Sequence, residues 1–227
     1  MVRINFHDEL ETTKKGLLAE ANLVSRQLRR VLEALDRRDA ELAAEVIADD
    51  DRVDDIYLAT ETRIQTLLAL QAPVARDLRL VMAMIHCNMH VERIGDLCVN
   101  IAKFVRDGHP YPSGAPMVVR LEEMGARALE MIELSARAFG EEDVDLAEKL
   151  PIMDNVLDRL NRGMLEDLEG FAGDADAFEW AANLMLVARY LERMGDHAVD
   201  IGEQTSFMVT GVFREFTDAS HPEREQL

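Results

Sequence analysis

Two copies of one acidic motif stand 100 residues apart, and their side chains are the ones best suited to chemistry in this sequence. Each copy reads Glu-Arg-x-Gly-Asp, from Glu92 to Asp96 and from Glu192 to Asp196. Residues four apart in a helix share a face, so each motif sets two carboxylates side by side. Neighbouring carboxylates repel each other unless a cation or a proton neutralises them. The motif predicts a cation site, and a solvated acidic ridge is the simpler alternative.

A second set of acids precedes each motif on the neighbouring predicted helix. In each half, two aspartates four residues apart lie at the margin of an apolar stripe. If that helix packs against the motif helix, both sets meet across the groove between them. The candidate metal ligands are Asp50, Asp54, Glu92, Asp96 and Asn100 in the first half, and Asp154, Asp158, Glu192, Asp196 and Asp200 in the second. Because Asn100 is uncharged and Asp200 is not, we expect the first site to be less anionic.

The donor set selects the kind of metal. Oxygen ligands suit hard cations such as Mg²⁺, Mn²⁺, Ca²⁺ or ferric iron. A tetrahedral zinc site is less expected, because no Cys or His has ligand spacing to these acids. His197 follows Asp196 but falls about 100° round the helix, which favours a surface or packing role. His86 and His90 share a face at a spacing that could bind metal, but their Met-rich surroundings favour the core or an interface.

Composition bounds the class of protein. The chain of 227 residues is 48% apolar, 30% charged and only 5% aromatic, which favours a globular helical protein. Its net charge of −19 argues against nucleic acid and against adsorption to an anionic membrane, and favours basic proteins or cations as partners. The first residues lack the apolar core of a signal peptide, and Leu80 to Ile85 is the longest apolar run. We expect a cytoplasmic protein, with Cys87 and Cys98 as buried free thiols.

Helical periodicity divides the chain into two similar halves of three helices each. In the first half the predicted helices run from about Glu9 to Leu35, from Asp39 to near Leu70, and from Pro73 to about Asp107. The second half repeats this pattern. Matched residues are 104 positions apart at first and 100 positions apart at the acidic motif, so we expect a shorter connection between the second and third helices of the second half. Pro151 is expected to kink the fifth helix just before Asp154.

We predict an all-α fold of two tandem three-helix bundles, with six long helices in all. Three Pro and two Gly within nine residues identify the linker between the bundles. The predicted divisions are residues 1–107 for the first bundle, 108–116 for the linker, 117–213 for the second bundle and 214–227 for a polar tail.

Several of these motifs together resemble the PhoU family of phosphate-signalling regulators. They are the two Asp-x-x-x-Asp pairs, the Gln71-x-Pro73-x-Ala75-x-Asp77-Leu78-Arg79 run and the twin Glu-Arg-x-Gly-Asp motifs. The resemblance implies multinuclear metal clusters on these acids, with iron, manganese or magnesium expected ahead of zinc. It further implies a homodimeric negative regulator that links a phosphate transporter, through its ATPase subunit, to a phosphate-sensing histidine kinase. Membrane association would then run only through protein partners.

Other functions have less support from the residues. A di-iron oxidase on a helical bundle would need Glu-x-x-His motifs, and no Glu stands three residues before any His. A nucleophile elbow and a Gly-rich phosphate loop are also missing from the sequence, so we expect no enzyme. A metal-free helical adaptor with an unrelated protein partner remains the alternative.

Overall fold

Helices account for almost all of the computed structural model, which describes residues 2–108, 115–171 and 173–216. These ranges contain no strand, as the all-α prediction requires. The helices are α1 (Val2–Arg37), α2 (Ala40–Ala48), α3 (Asp51–Gln71), α4 (Ala75–Arg106), α5 (Pro116–Glu141), α6 (Val144–Ala147), α7 (Leu150–Glu169) and α8 (Ala175–Thr210). The six-helix plan is confirmed, with the second helix of each unit built from a short and a long segment: α2 with α3, and α6 with α7.

Equivalent aspartates begin the second helix of each unit. The Asp39 carboxylate accepts a hydrogen bond from the backbone N–H of Leu42 at 2.9 Å, and Asp143 accepts one from Leu146 at 3.0 Å. Such a side chain satisfies one of the N–H groups that a helix start leaves without an intrahelical partner. The predicted cap at Asp39 is confirmed, and Asp143 makes the same capping hydrogen bond in the second unit.

The second helix of each unit is interrupted, and this corrects the sequence-based account. In the first unit the chain leaves helix at Asp49 and Asp50, where continuous helix was expected. In the second unit the break falls at Glu148 and Lys149, and Pro151 then lies in the first turn of α7, where a missing N–H costs nothing. A break therefore exists before Asp154 as predicted. It falls five residues closer to the capping aspartate than the break of the first unit, and Pro151 opens the helix that follows it instead of kinking a continuous one.

The two bundles pack on each other through their first and third helices. Within the bundles α1 packs with α3 and α4, and α5 packs with α7 and α8; between them α4 contacts α8 and α1 contacts α5. One continuous apolar core results, running from Val24 and Ile94 in the first bundle to Met131 and Met194 in the second. Leu78, Met82 and Met89 of α4 remain partly exposed.

Both cysteines are free and buried on α4, as predicted. Burial raises the pKa of the Cys87 and Cys98 thiols far above the ordinary range, so neither forms a reactive thiolate near neutral pH. Within the described ranges, no helix combines the length and apolar character needed to cross a bilayer.

The connections differ from the sequence-based account in two places. The connection between α7 and α8, residues 170–174, is longer than its counterpart between α3 and α4, residues 72–74. The prediction of a shorter connection is therefore wrong. The four-residue fall in the offset comes instead from an earlier end of α7. Within the predicted polar tail Phe216 is buried, and its backbone N–H donates to Glu203 Oε1 at 2.7 Å. Residues 109–114 of the predicted linker and 217–227 of the tail lie outside the described residues.

Candidate metal centres

The first acidic cluster lies between three helices. Asp50 and Asp54 at the start of α3 couple electrostatically to Glu92 on α4, and Asp96 follows one turn later on α4. Glu20 of α1 joins them, with its side chain wholly buried. Neither carboxylate oxygen of Glu20 has a hydrogen-bond partner in the part of the chain that the structure describes. The cluster therefore holds a carboxylate that no described protein donor satisfies.

Burial and mutual repulsion raise the pKa of several acids in this first cluster. The pKa of Glu20 rises to about 8, first through burial and then through the charges of Glu92 and Asp54. Burial likewise raises the pKa of Asp50, although Gln27 Nε2 donates to its Oδ1 at 3.4 Å, and that of Glu92, with Asp96 adding to the effect.

A single exposed arginine partly neutralises the first cluster from the solvent side. Arg93 Nη1 donates to Asp96 Oδ2 at 2.9 Å, and its Nε lies 3.5 Å from Glu92 Oε2. More than half of the Arg93 side chain is exposed, so water screens these pairs and they hold the arginine weakly. An entering cation could replace it on the carboxylates.

The second cluster is more deeply buried and lies between α7 and α8. Asp154, Asp158 and Glu192 are each less than a tenth exposed. Burial, and then the charge of Asp196, raises the pKa of Glu192 to about 7, and burial also raises the pKa of Asp196. Two exposed arginines pair with carboxylates of this cluster: Arg189 donates to Glu192, and Arg162 donates to Asp158 at 3.3 Å.

The glycine of each motif lets the motif helix approach its neighbour. A Cβ at position 195 would lie 2.6 Å from Leu157 Cδ2 and 2.8 Å from Asp154 Oδ1, closer than atoms can pack. At position 95 the nearest atom, Val53 Cγ1, would lie at an ordinary 3.4 Å. A side chain at position 195 would therefore push Leu157 and the Asp154 carboxylate away from the backbone of α8.

We expect Gly195→Ala to destabilise the metal-free protein by about 1–3 kcal/mol, because the added methyl group displaces Leu157 and the Asp154 carboxylate. Gly95→Ala is the matched control, and we expect it to change stability little or to raise it by up to about 1 kcal/mol through helix propensity. Urea unfolding of both variants in a chelating buffer makes the comparison. Equal losses in the two variants would contradict the close approach at Gly195.

Most of the predicted ligands fall into these two clusters. They are Asp50, Asp54, Glu92 and Asp96 between α3 and α4, and Asp154, Asp158, Glu192 and Asp196 between α7 and α8. Asn100 is half-buried one turn beyond Asp96, and its role as a ligand stays a prediction. Asp200 still raises the pKa of Asp196, but its carboxylate faces His90 and His197.

Two residues of the first cluster, Glu20 and Gln27, lie outside the set of ligands predicted from the sequence. Both lie on the apolar stripe of α1 with Val24 and Val31, so a polar residue in a buried stripe was the available signal. In the second unit Met124 and Met131 occupy the equivalent positions. Glu20 therefore gives the first cluster a carboxyl group that the second cluster lacks at Met124.

The donor sets fit hard cations. Each cluster gathers carboxylate oxygens from two or three helices, and the raised pKa values of Glu20 and Glu192 show the cost of leaving them without a cation. Burial of Asp154, Asp158 and Glu192 also argues against a solvated ridge in the second bundle. At neutral pH either a proton or a cation must neutralise Glu20, whose pKa is about 8.

Comparison with known proteins finds the same domain in both bundles. The PhoU domain profile matches residues 17–105 and 121–205, once in each bundle. The phosphate-specific transport system accessory protein PhoU homolog 1 of Thermotoga maritima is 31% identical over 92% of this chain and 90% of its own length. A PhoU homolog of Clostridium acetobutylicum is 29% identical over 93% of this chain and 97% of its own.

Solved structures show the same fold. The crystal structure of PhoU from Pseudomonas aeruginosa covers 91% of this chain and 100% of its own, with a TM-score of 0.85 and 30% identity. The phosphate transport system regulatory protein PhoU from Streptococcus pneumoniae covers 93% of this chain and 100% of its own, with a TM-score of 0.85 and 25% identity. With both bundles matched in sequence and in structure, this chain belongs to the PhoU domain family.

Proposed function

We propose that this protein is a metal-binding negative regulator of the phosphate-starvation response. In this role it couples a Pst-type phosphate transporter to a membrane sensor histidine kinase and modulates phosphate uptake. The observation that carries the proposal is the family match over both bundles, to relatives named for phosphate-specific transport. We assign it a cytoplasmic location, no catalytic activity and a homodimeric state.

The buried acids support the metal-binding part of the proposal. Iron, manganese or magnesium ions suit the oxygen donors of Asp50, Asp54 and Glu92, with Glu20 as a further ligand from α1. In the second bundle the corresponding donors come from α7 and α8. Since each cluster joins different helices, a bound cation would hold those helices together. It would thereby fix the conformation of the protein surface around each cluster.

Charge supports the assignment of protein partners. A chain with a net charge of −19 is repelled by an anionic membrane surface, so its membrane association would run through basic surfaces of the kinase and the transporter ATPase subunit. Contacts of this kind weaken as salt rises, because ions screen exposed charges beyond a Debye length of about 8–10 Å.

Deletion of the gene tests the proposal. We expect phosphate-starvation genes to switch on in phosphate-rich medium, and the wild-type protein to restore repression. The double substitution Glu92→Ala and Asp96→Ala should restore it only partly and should roughly halve the metal bound per purified chain, because it removes ligands of one cluster of two. A transcriptional reporter and elemental analysis provide the two measurements.

An exposed acid pair with the same spacing provides the control. Glu41 and Glu45 lie four residues apart on the surface of α2, and their double substitution by Ala should leave both repression and metal content unchanged. Starvation genes that stay silent after deletion would favour the adaptor alternative with an unrelated partner. A metal-to-protein ratio that Glu92→Ala with Asp96→Ala leaves intact would exclude the first cluster as a metal site.

A further inference from the structure

Two histidines and an aspartate from different bundles meet where α4 packs against α8. His90 comes from α4, and His197 and Asp200 lie one turn apart on α8. The Nδ1 atoms of the two histidines are 3.1 Å apart, and Asp200 Oδ2 lies 3.3 Å from His90 Nδ1 and 3.6 Å from His197 Nδ1. Three atoms able to donate an electron pair thus converge on one point.

We propose that His90, His197 and Asp200 form a transition-metal site, with zinc as the best-fitting ion, that joins the two bundles. Tetrahedral zinc with bonds of about 2.0–2.2 Å sets its ligand atoms about 3.3–3.6 Å apart, and the three observed separations lie at or close to that range. Two imidazoles with one carboxylate also form a donor set that suits zinc better than magnesium or calcium. The site takes Asp200, a candidate ligand of the second carboxylate cluster, but it does not rest on the proposed function.

Hydrogen bonding alone uses these three atoms poorly. A neutral imidazole carries one N–H, so His90 Nδ1–H would have to be shared between His197 Nδ1 at 3.1 Å and Asp200 Oδ2 at 3.3 Å. If both Nδ1 atoms carry hydrogens, the two N–H groups point at each other across 3.1 Å. A cation between the three atoms accepts all three lone pairs and removes the conflict.

Burial fixes both histidine rings in place. The side chains of His90 and His197 are 13% and 16% exposed, so the packing of α4 on α8 holds both ring nitrogens beside Asp200. The Asp200 side chain is 42% exposed, so solvent reaches this side and water can take the fourth position.

Titration of the purified full-length chain with Co²⁺ and Zn²⁺, in excess Mg²⁺ to occupy the oxygen clusters, tests the site. We expect the intense visible absorption of tetrahedral Co²⁺, displaced by Zn²⁺, and a Zn²⁺-dependent rise in Tm. His90→Ala and His197→Ala should each weaken Zn²⁺ binding by on the order of 100-fold or more, since even an outer-shell change at a metal site costs 10–100-fold.

His7→Ala on α1 is the matched control, and it should bind Co²⁺ and Zn²⁺ like the wild type. Circular dichroism confirms that each variant is folded, and His197→Gln replaces any His197→Ala protein that is not. A weak octahedral Co²⁺ spectrum in the wild type overturns the proposal. An unchanged Zn²⁺ affinity in a folded His90→Ala protein does the same.

Discussion

Glu20→Gln should make the metal-free protein more stable and its first cluster a poorer metal site. At pH 7.5 the wild-type fold must keep this buried carboxyl protonated, which costs roughly 4 kcal/mol for a pKa near 8 against an ordinary value of 4.5. The neutral amide avoids this cost but is itself a buried polar group, so we expect a net gain of about 2–3 kcal/mol, or about 5–10 °C in Tm. Thermal unfolding in a chelating buffer measures it.

The sign of the effect follows from proton linkage. A carboxyl group whose pKa is raised by folding binds more protons in the folded state than in the unfolded one between pH 4.5 and about 8. Wild-type stability should therefore fall across this range relative to Glu20→Gln and then level off. Near pH 4.5 the two proteins should differ little.

Metal should reverse the order of the two proteins. If Glu20 is a ligand, saturating Mn²⁺ will stabilise the wild type more than Glu20→Gln, because binding to the folded state adds stability in proportion to affinity. Glu11→Gln, an exposed glutamate on the same helix, is the control and should change neither result. A Glu20→Gln protein that is less stable than the wild type in chelator at pH 7.5 would refute the assignment of Glu20 as an unsatisfied buried acid.

Glu142→Gln should give the largest loss of stability among the ion-pair variants of this protein. Glu142 follows α5 and accepts hydrogen bonds from Lys14 of α1, at 3.0 Å, and from Arg76 at the start of α4. The Lys14 side chain is only 8% exposed, so removing its partner leaves a buried charge. Because the Glu142 side chain is 27% exposed, we expect about 2 kcal/mol rather than the roughly 3–5 kcal/mol of a fully buried pair.

The pH dependence of this pair runs opposite to that of Glu20. Burial raises the pKa of Glu142, but the hydrogen bonds and charges of Lys14 and Arg76 outweigh it and hold the pKa below 4.5. The stabilisation is therefore complete above pH 4.5 and is lost as pH falls through the lower folded pKa. Urea unfolding at pH 7 and at pH 3 should show the wild-type advantage shrinking in acid.

An exposed pair between the same two helices provides the comparison. Arg29 of α1 pairs with Glu133 of α5, and both side chains are about half exposed. Glu133→Gln should cost no more than about 1 kcal/mol, as is usual for solvated pairs. Equal effects of Glu133→Gln and Glu142→Gln would show that burial of Lys14 contributes nothing to the pair.

The helices and their repeat could be predicted because their causes are local. Periodic apolar residues, the caps at Asp39 and Asp143 and the Gln71-x-Pro73 stop act within a few residues, so they operate alike before and after folding. The faces of the acidic motifs follow from the same helical geometry. This is why the candidate ligands on α3, α4, α7 and α8 could be named from sequence.

Other features depend on how closely helices approach and on which side chains they bring together. Periodicity assigns Glu20 to the inner stripe of α1 but cannot show that Glu92 and Asp54 lie opposite it. Neither could it predict that Asp154 would rest against Gly195, which requires the packing distance between α7 and α8.

Local sequence accounts for the repeat, for the two acid-bearing faces and for the helices apart from the interruption of the second helix in each unit. Only packing brings His90 to His197 across the bundles, because residues 107 apart have no local relation until α4 packs on α8. It also turned Asp200 towards those histidines, although helical spacing aligns it with Asp196. Local geometry sets the direction in which a side chain points, and only packing sets what it faces.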